Sequence, residues 1–243
     1  MRIGSNFNNL SSLLQSSKAA APANIPIEQE LEAQQIGQDQ GSKNAQDAIN
    51  LGNVAEGALN SASDSLQQIR ELAVQAGNGA LSSEDRSIIQ DQINGLKQDI
   101  QSSLQNSEFN GQKLLDGGFN GNIQTGGNPG QGRVMQIENT SLDSLGITNF
   151  DVTGSFDIGD IDNAIEQVNA NRSQIGAQTN GLESTIRSNE IARENTLASQ
   201  SNLTEDLEES ITQFRQGQLQ QSVQTQTQLL QQQAQESQLD ILG

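Results

Sequence analysis

From about Asp47, apolar residues recur at steps of three and four: Leu51, Val54, Ala55, Ala58, Leu59, Ala62, Leu66, Ile69, Leu72, Ala73 and Ala76. That spacing predicts a helix with one apolar face. The run AGNG then ends it, with two glycines where a helix is expected to stop. SSED follows and supplies Ser82 or Ser83 as an N-cap, with acids in the next turn. A second helix is predicted behind that cap, with Ile89, Ile93, Leu96, Ile100 and Leu104 on one face.

The pattern changes at about residue 109. FNGQKLLDGG, FNGNIQTGGNPGQG and GRVMQIENTSLDSLGITNFDVTG combine turn residues with short apolar runs such as VMQI, the signature of a small β-hairpin region with loops. NGNIQTGGNPGQG reads as turns. From Ile161 the helical rhythm returns through Ile165, Val168, Ile175, Leu182 and Ile186, and Leu203, Leu207, Ile211, Phe214, Val223 and Leu230 extend it. Arg172, Thr179 and Asn189 interrupt the seam with polar side chains. The last block, from QFRQGQ onward, is Gln-rich, a composition compatible with a disordered tail. Its apolar residues keep helical spacing, so a helix ordered by a partner is expected instead.

A helix over 161–236 would span roughly 110 Å at 1.5 Å per residue. A compact globule of this length has a diameter under about 50 Å. The expected fold is therefore mainly α, an elongated antiparallel helical rod built from both chain halves, with the hairpin region in the middle. The expected segments are 1–40 and 201–243 for a terminal domain. Residues 41–108, 109–160 and 161–200 would form the N-terminal helices, hairpin part and C-terminal helix of a rod domain.

Composition narrows what such a rod can do. Thirty acidic residues against 12 basic ones give a net charge of −18, which disfavours binding to nucleic acid phosphates or anionic membranes. There is no Cys and no His, which removes thiolate chemistry, the commonest general base and the commonest metal ligands. No nucleophile-elbow, phosphate-loop or zinc-protease pattern occurs. An enzyme is not expected, and neither is a cofactor or a metal. The first residues lack the apolar core of a cleaved signal peptide, and no window reaches the ~18 apolar residues of a membrane span. Export, if it occurs, is expected by another route.

AEGALNSASDSLQQIRELAVQAGNG resembles the amino-terminal rod helix of bacterial flagellin, with its TEGALN…LQRVRELAVQ pattern. The resemblance continues through SIIQDQINGLKQDI and SEFNGQKLLDGG. It resumes in IDNAIEQVNANRSQIGAQTNGLESTI and LTEDLEESITQF, so it covers about residues 41–243. It implies a minimal flagellin without outer domains: an extracellular, self-assembling subunit of the flagellar filament, serving motility. Its partners would be other copies or other flagellins, with a chaperone and the flagellar export apparatus handling the unfolded protein. The resemblance further implies that the terminal helices form an inner coiled layer. Leu10, Leu13, Leu14, Leu207, Ile211 and Phe214 are the candidates for that interface, the alternative for all six being an intramolecular core. Other readings of the resemblance are a hook–filament junction protein or a flagellin-derived adhesin.

Two departures stand out. The LSSGLRIN…DDAAG segment usual in flagellins is missing between SSKAAAPANIPIEQELEAQQ and GSKNAQDAIN, and Pro22 and Pro26 are expected to stop the first helix early. In many flagellins the RVRELAVQ segment is read by a Toll-like receptor, which makes Gln68, Arg70, Glu71 and Leu72 a candidate receptor contact. Gln68 stands where that pattern has its first Arg, and Gln92 where a Glu often falls. Weakened recognition is expected, because an amide does not replace a guanidinium's fork of donors.

Overall fold

The computed structural model describes residues 5–116 and 119–242, with side chains over 27–116 and 119–235. The elements run α1 (Ser5–Ala76), α2 (Ser83–Gln105), β1 (Glu108–Phe109), β2 (Gln112–Lys113), β3 (Phe119–Gln124), β4 (Gly132–Ile137) and α3 (Ile158–Leu242). They divide into two compact units: Ala33–Arg193, and a terminal unit of Met1–Glu32 with Glu194–Gly243.

The first helix departs from expectation at its start. α1 begins at Ser5 and continues through Pro22 and Pro26, so neither proline stops it. Proline's fixed φ is compatible with a helix. The penalty is a missing donor and crowding of the preceding turn, and a 72-residue helix tolerates both locally. α3 begins slightly earlier than the apolar rhythm suggests, and it runs through the Gln-rich block without a break.

The Ala33–Arg193 unit is held by one apolar cluster. Leu59, Leu66, Ile69, Ala73 and Ala76 of α1, Ile93 and Ile100 of α2, and Ile161, Ala164 and Val168 of α3 are all fully buried in it. Burying each of the larger side chains stabilises by roughly 1.5–3 kcal/mol. The many alanines matter as much, since small residues let helix axes approach where bulky core material is scarce. Polar pairs along the helices fix direction: Arg70 meets Asp162, Glu56 meets Arg172, and Asp39 meets Arg193. Residue numbers fall on α1 as they rise on α3, so the two halves of the sequence are antiparallel within this unit. These pairs are half-exposed and worth little individually. They report register rather than supply stability.

Ser82, not Ser83, caps α2. Its hydroxyl accepts from the Asp85 N–H at 3.1 Å, and the Asp85 carboxylate accepts from the Ser82 N–H at 3.0 Å, a reciprocal capping box. The hairpin region contains two antiparallel pairs, β1–β2 and β3–β4. NGNIQ, which the turn residues obscured, forms most of β3 and pairs with β4 in the register Phe119↔Ile137 through Gln124↔Gly132. Only the Gly-rich second half of that stretch is a turn. Side-chain amides bind the hairpin to the long helices. Gln178 accepts from the Gln136 N–H at 2.7 Å and donates to its carbonyl at 2.9 Å, as a neighbouring strand would. Asn44 donates to the Gln124 carbonyl at 2.8 Å and Asn189 to the Thr125 carbonyl at 2.7 Å. Asn189, one of the polar interruptions of the α3 seam, is therefore the residue that receives the hairpin tip.

Candidate functional site

Two surfaces carry the sequence-predicted residues. The first is a groove between α1 and α2, about 500 Å³ in volume, lined by Gln68, Glu71, Leu72 and Gln75 from one helix and Gln92, Gly95, Leu96 and Asp99 from the other. Helical spacing explains the grouping, because 68, 71, 72 and 75 share a face of α1. Gln92 lines the same groove as Gln68. The lining includes two carboxylates and no Lys or Arg.

Arg70 does not join that groove. Its Nε donates to Asp162 Oδ1 at 2.6 Å, and this hydrogen bond, with the attraction of the carboxylate behind it, holds the guanidinium protonated even more firmly than usual. The structure therefore separates the four candidate receptor residues. Gln68, Glu71 and Leu72 share a groove, while Arg70 is engaged by α3.

The second surface is the α3 part of the terminal unit. Leu203, Leu207, Ile211 and Phe214 follow one another at steps of four, four and three, which places them on one stripe. Leu207 is half-buried, Ile211 is 44% exposed and Phe214 36%. Leu219, Val223, Leu229 and Leu230 beyond them are each more than half exposed. Leu10, Leu13 and Leu14 belong to the helical backbone of α1, but their side chains lie outside the described residues.

Sequence reasoning missed the residues that close the 138–157 loop over α2. Gln90 is buried. Its Oε1 accepts from the Val152 N–H at 2.8 Å and its Nε2 donates to the Phe150 carbonyl at 3.3 Å. Lys97 donates to the Thr148 carbonyl at 2.6 Å, and burial pulls its pKa down against the attraction of Asp151. Nothing in a Gln beside Ile89, with a second Gln two residues on, signals this role. Among the described residues, no group of acids is placed to hold a metal ion, and no helix is long and apolar enough to cross a membrane.

Comparison with known proteins fits this geometry. The profile of the bacterial flagellin N-terminal helical region matches residues 8–120. A flagellin of Bacillus subtilis is 34% identical over 250 residues, covering 86% of this chain and 82% of its own. The chain belongs to the bacterial flagellin family. A flagellar filament 33 kDa core protein of Treponema phagedenis is 32% identical over 225 residues, covering 84% of this chain and 79% of its own. Among solved structures, a Bacillus cereus flagellin superposes with a TM-score of 0.51 at 26% identity, over 60% of this chain and 88% of that one. A hook-associated protein of Vibrio parahaemolyticus reaches a TM-score of 0.61 at 17% identity, over 74% and 97% of the two proteins. That second likeness establishes a shared fold and nothing about role. As a flagellin, this protein is a structural subunit of the flagellar filament, and the hook-associated reading has no better support.

Proposed function

We propose that this flagellin builds the filament through the apolar stripe of its terminal unit, with Leu207, Ile211 and Phe214 on α3 and Leu10, Leu13 and Leu14 on α1 meeting the same helices of neighbouring subunits. The observation that supports this reading is the exposure of Ile211 and Phe214 in the single subunit, on a stripe whose spacing is that of a helix–helix seam. Water-exposed apolar side chains in a row lower their free energy by finding a partner, and a helical assembly of repeated heterologous contacts supplies one. The protein would act outside the cell as a structural component rather than an enzyme. It would reach that place unfolded, through the flagellar export channel with a chaperone's help. Having no cysteine, it has no disulfide to form before or during that passage.

The test is assembly of the purified protein, followed by negative-stain microscopy with preformed seeds and at several salt concentrations. Wild type is expected to extend into uniform filaments. Phe214→Asp is expected to remain helical by circular dichroism and to fail to assemble. A Phe214→Asp variant that loses its helicity would assign the stripe to an intramolecular core. One that still polymerises would place the interface elsewhere.

A further inference from the structure

The sequence contains five Asn–Gly pairs: 78–79, 94–95, 110–111, 120–121 and 180–181. Such pairs are chemically labile, because the unhindered glycine nitrogen can attack the asparagine side chain. The fold protects three of them. Gly95 and Gly181 lie inside α2 and α3, where each N–H is committed to the carbonyl four residues earlier. Asn94 Oδ1 is also taken by Gln90. Gly121 stands opposite Met135 in the β3–β4 ladder. The backbone of the neighbouring residue Gln136 turns outward to Gln178, so the alternation of an antiparallel pair turns Gly121 inward, with its N–H in the ladder.

The turn between α1 and α2 offers no such protection. The Asn78 N–H bonds back to Gln75, and the Leu81 N–H to the Asn78 carbonyl. The Ala80 N–H donates to Asn78 Oδ1 at 3.0 Å. The Gly79 N–H has no acceptor among the described residues, and a side chain on Gly79 would meet nothing within 4 Å. The attacking nitrogen is therefore free and unobstructed. The oxygen that becomes negative during attack already has a donor aimed at it.

We propose that Asn78 is a self-modification site, converting spontaneously to aspartate and isoaspartate. Gly79 N bonds to Asn78 Cγ, and negative charge gathers on Oδ1, where the Ala80 N–H stabilises it as a fixed donor stabilises any oxyanion. The bond from Cγ to Nδ2 then breaks and ammonia leaves, carrying the proton from Gly79 N. Water opens the resulting succinimide at either carbonyl. The net reaction consumes one water and releases one ammonia. The product places a new carboxylate just beyond the α1 C-terminus, where the helix dipole opposes it. In the isoaspartate form it also lengthens the backbone of the turn by one carbon.

The β1–β2 turn provides an internal control. Asn110 and Gly111 sit there at φ 51° and 77°, an Asn–Gly pair outside helix and ladder, but no donor among the described residues faces Asn110 Oδ1. The intact purified protein would be incubated at mildly alkaline pH and peptide-mapped by mass spectrometry, with enzymatic methylation of isoaspartate as a second readout. Asn78 is expected to convert severalfold faster than Asn110, with Asn94, Asn120 and Asn180 unchanged while the protein is folded. In denaturant the five rates should converge. Gly79→Ala, which fits the open turn, should suppress conversion at Asn78 alone. Asn110 keeping pace with Asn78 would remove the role of the Ala80 donor, and conversion of Asn94 or Asn180 alongside Asn78 in the folded protein would overturn the proposal.

Discussion

Gly41 and Gly57 both lie inside α1, so replacing either with alanine should help the helix by up to about 1 kcal/mol. Their surroundings differ. A Cβ on Gly57 meets nothing within 4 Å, whereas one on Gly41 would overlap the Thr125 carbonyl and stand 2.8 Å from Gly126 N. All of those atoms are backbone, so no side chain can rotate away. The hairpin tip must move, and overpacking of this kind costs about 1–3 kcal/mol. Displacement also weakens the bonds from Asn44 to Gln124 and from Asn189 to Thr125, worth about 0.5–1.5 kcal/mol each. After subtracting the helix gain, Gly41→Ala should lose about 1–5 kcal/mol, and Gly57→Ala should be neutral or stabilising. Urea unfolding followed by far-UV circular dichroism compares the two directly. A Gly41→Ala protein as stable as Gly57→Ala would show that the hairpin tip does not rest on α1 as described.

Further outcomes follow from single side chains. Ile93→Ala, at a fully buried position, should cost about 2–5 kcal/mol, read as a lowered unfolding midpoint. Gln68→Arg should strengthen recognition by a flagellin-reading Toll-like receptor in a cell reporter assay, since it returns a guanidinium to the groove. Equal activation by both proteins would refute that. Asp85 is held below its usual pKa by the Ser82 hydroxyl and then by its N–H. Its folded pKa is depressed, so its stabilising contribution is present above the unfolded carboxylate range and lost as pH falls through the lower folded value. Carboxyl titration by NMR should show Asp85 rising toward its ordinary pKa in Ser82→Ala, with a shallower acid-side loss of stability.

Much of this architecture was legible because helical periodicity is local. The stripe from Leu51 to Ala76, the stop at AGNG and the Ser82 cap depend on residues within a few turns of each other. α2, α3 and the later half of α1 therefore followed from spacing and end signals alone, whereas the run of α1 from Ser5 to about Asp47 did not. The glycine-rich middle was harder to read, since the same Gly and Asn residues serve strands, turns and close contacts. NGNIQ becomes a strand because β4 is available to pair with it and because Gln178 and Asn44 receive the edges of the hairpin. Pro22 and Pro26 illustrate the converse error, in which a local breaker signal is overridden by the helix on either side.

What the sequence alone determined was most of the helical spans, their apolar faces and the lack of cysteine and histidine, all properties of neighbouring residues or of composition. Only the tertiary structure decided how those faces are shared. It separated Arg70 from Gln68, Glu71 and Leu72, because Asp162, distant in sequence, lies beside one face of α1 while α2 covers another. It gave Gln90 and Asn189 their places beneath a loop and a hairpin. Each of these depends on a hydrogen bond or a steric fit formed when separated segments meet, and a one-dimensional pattern carries no measure of that distance.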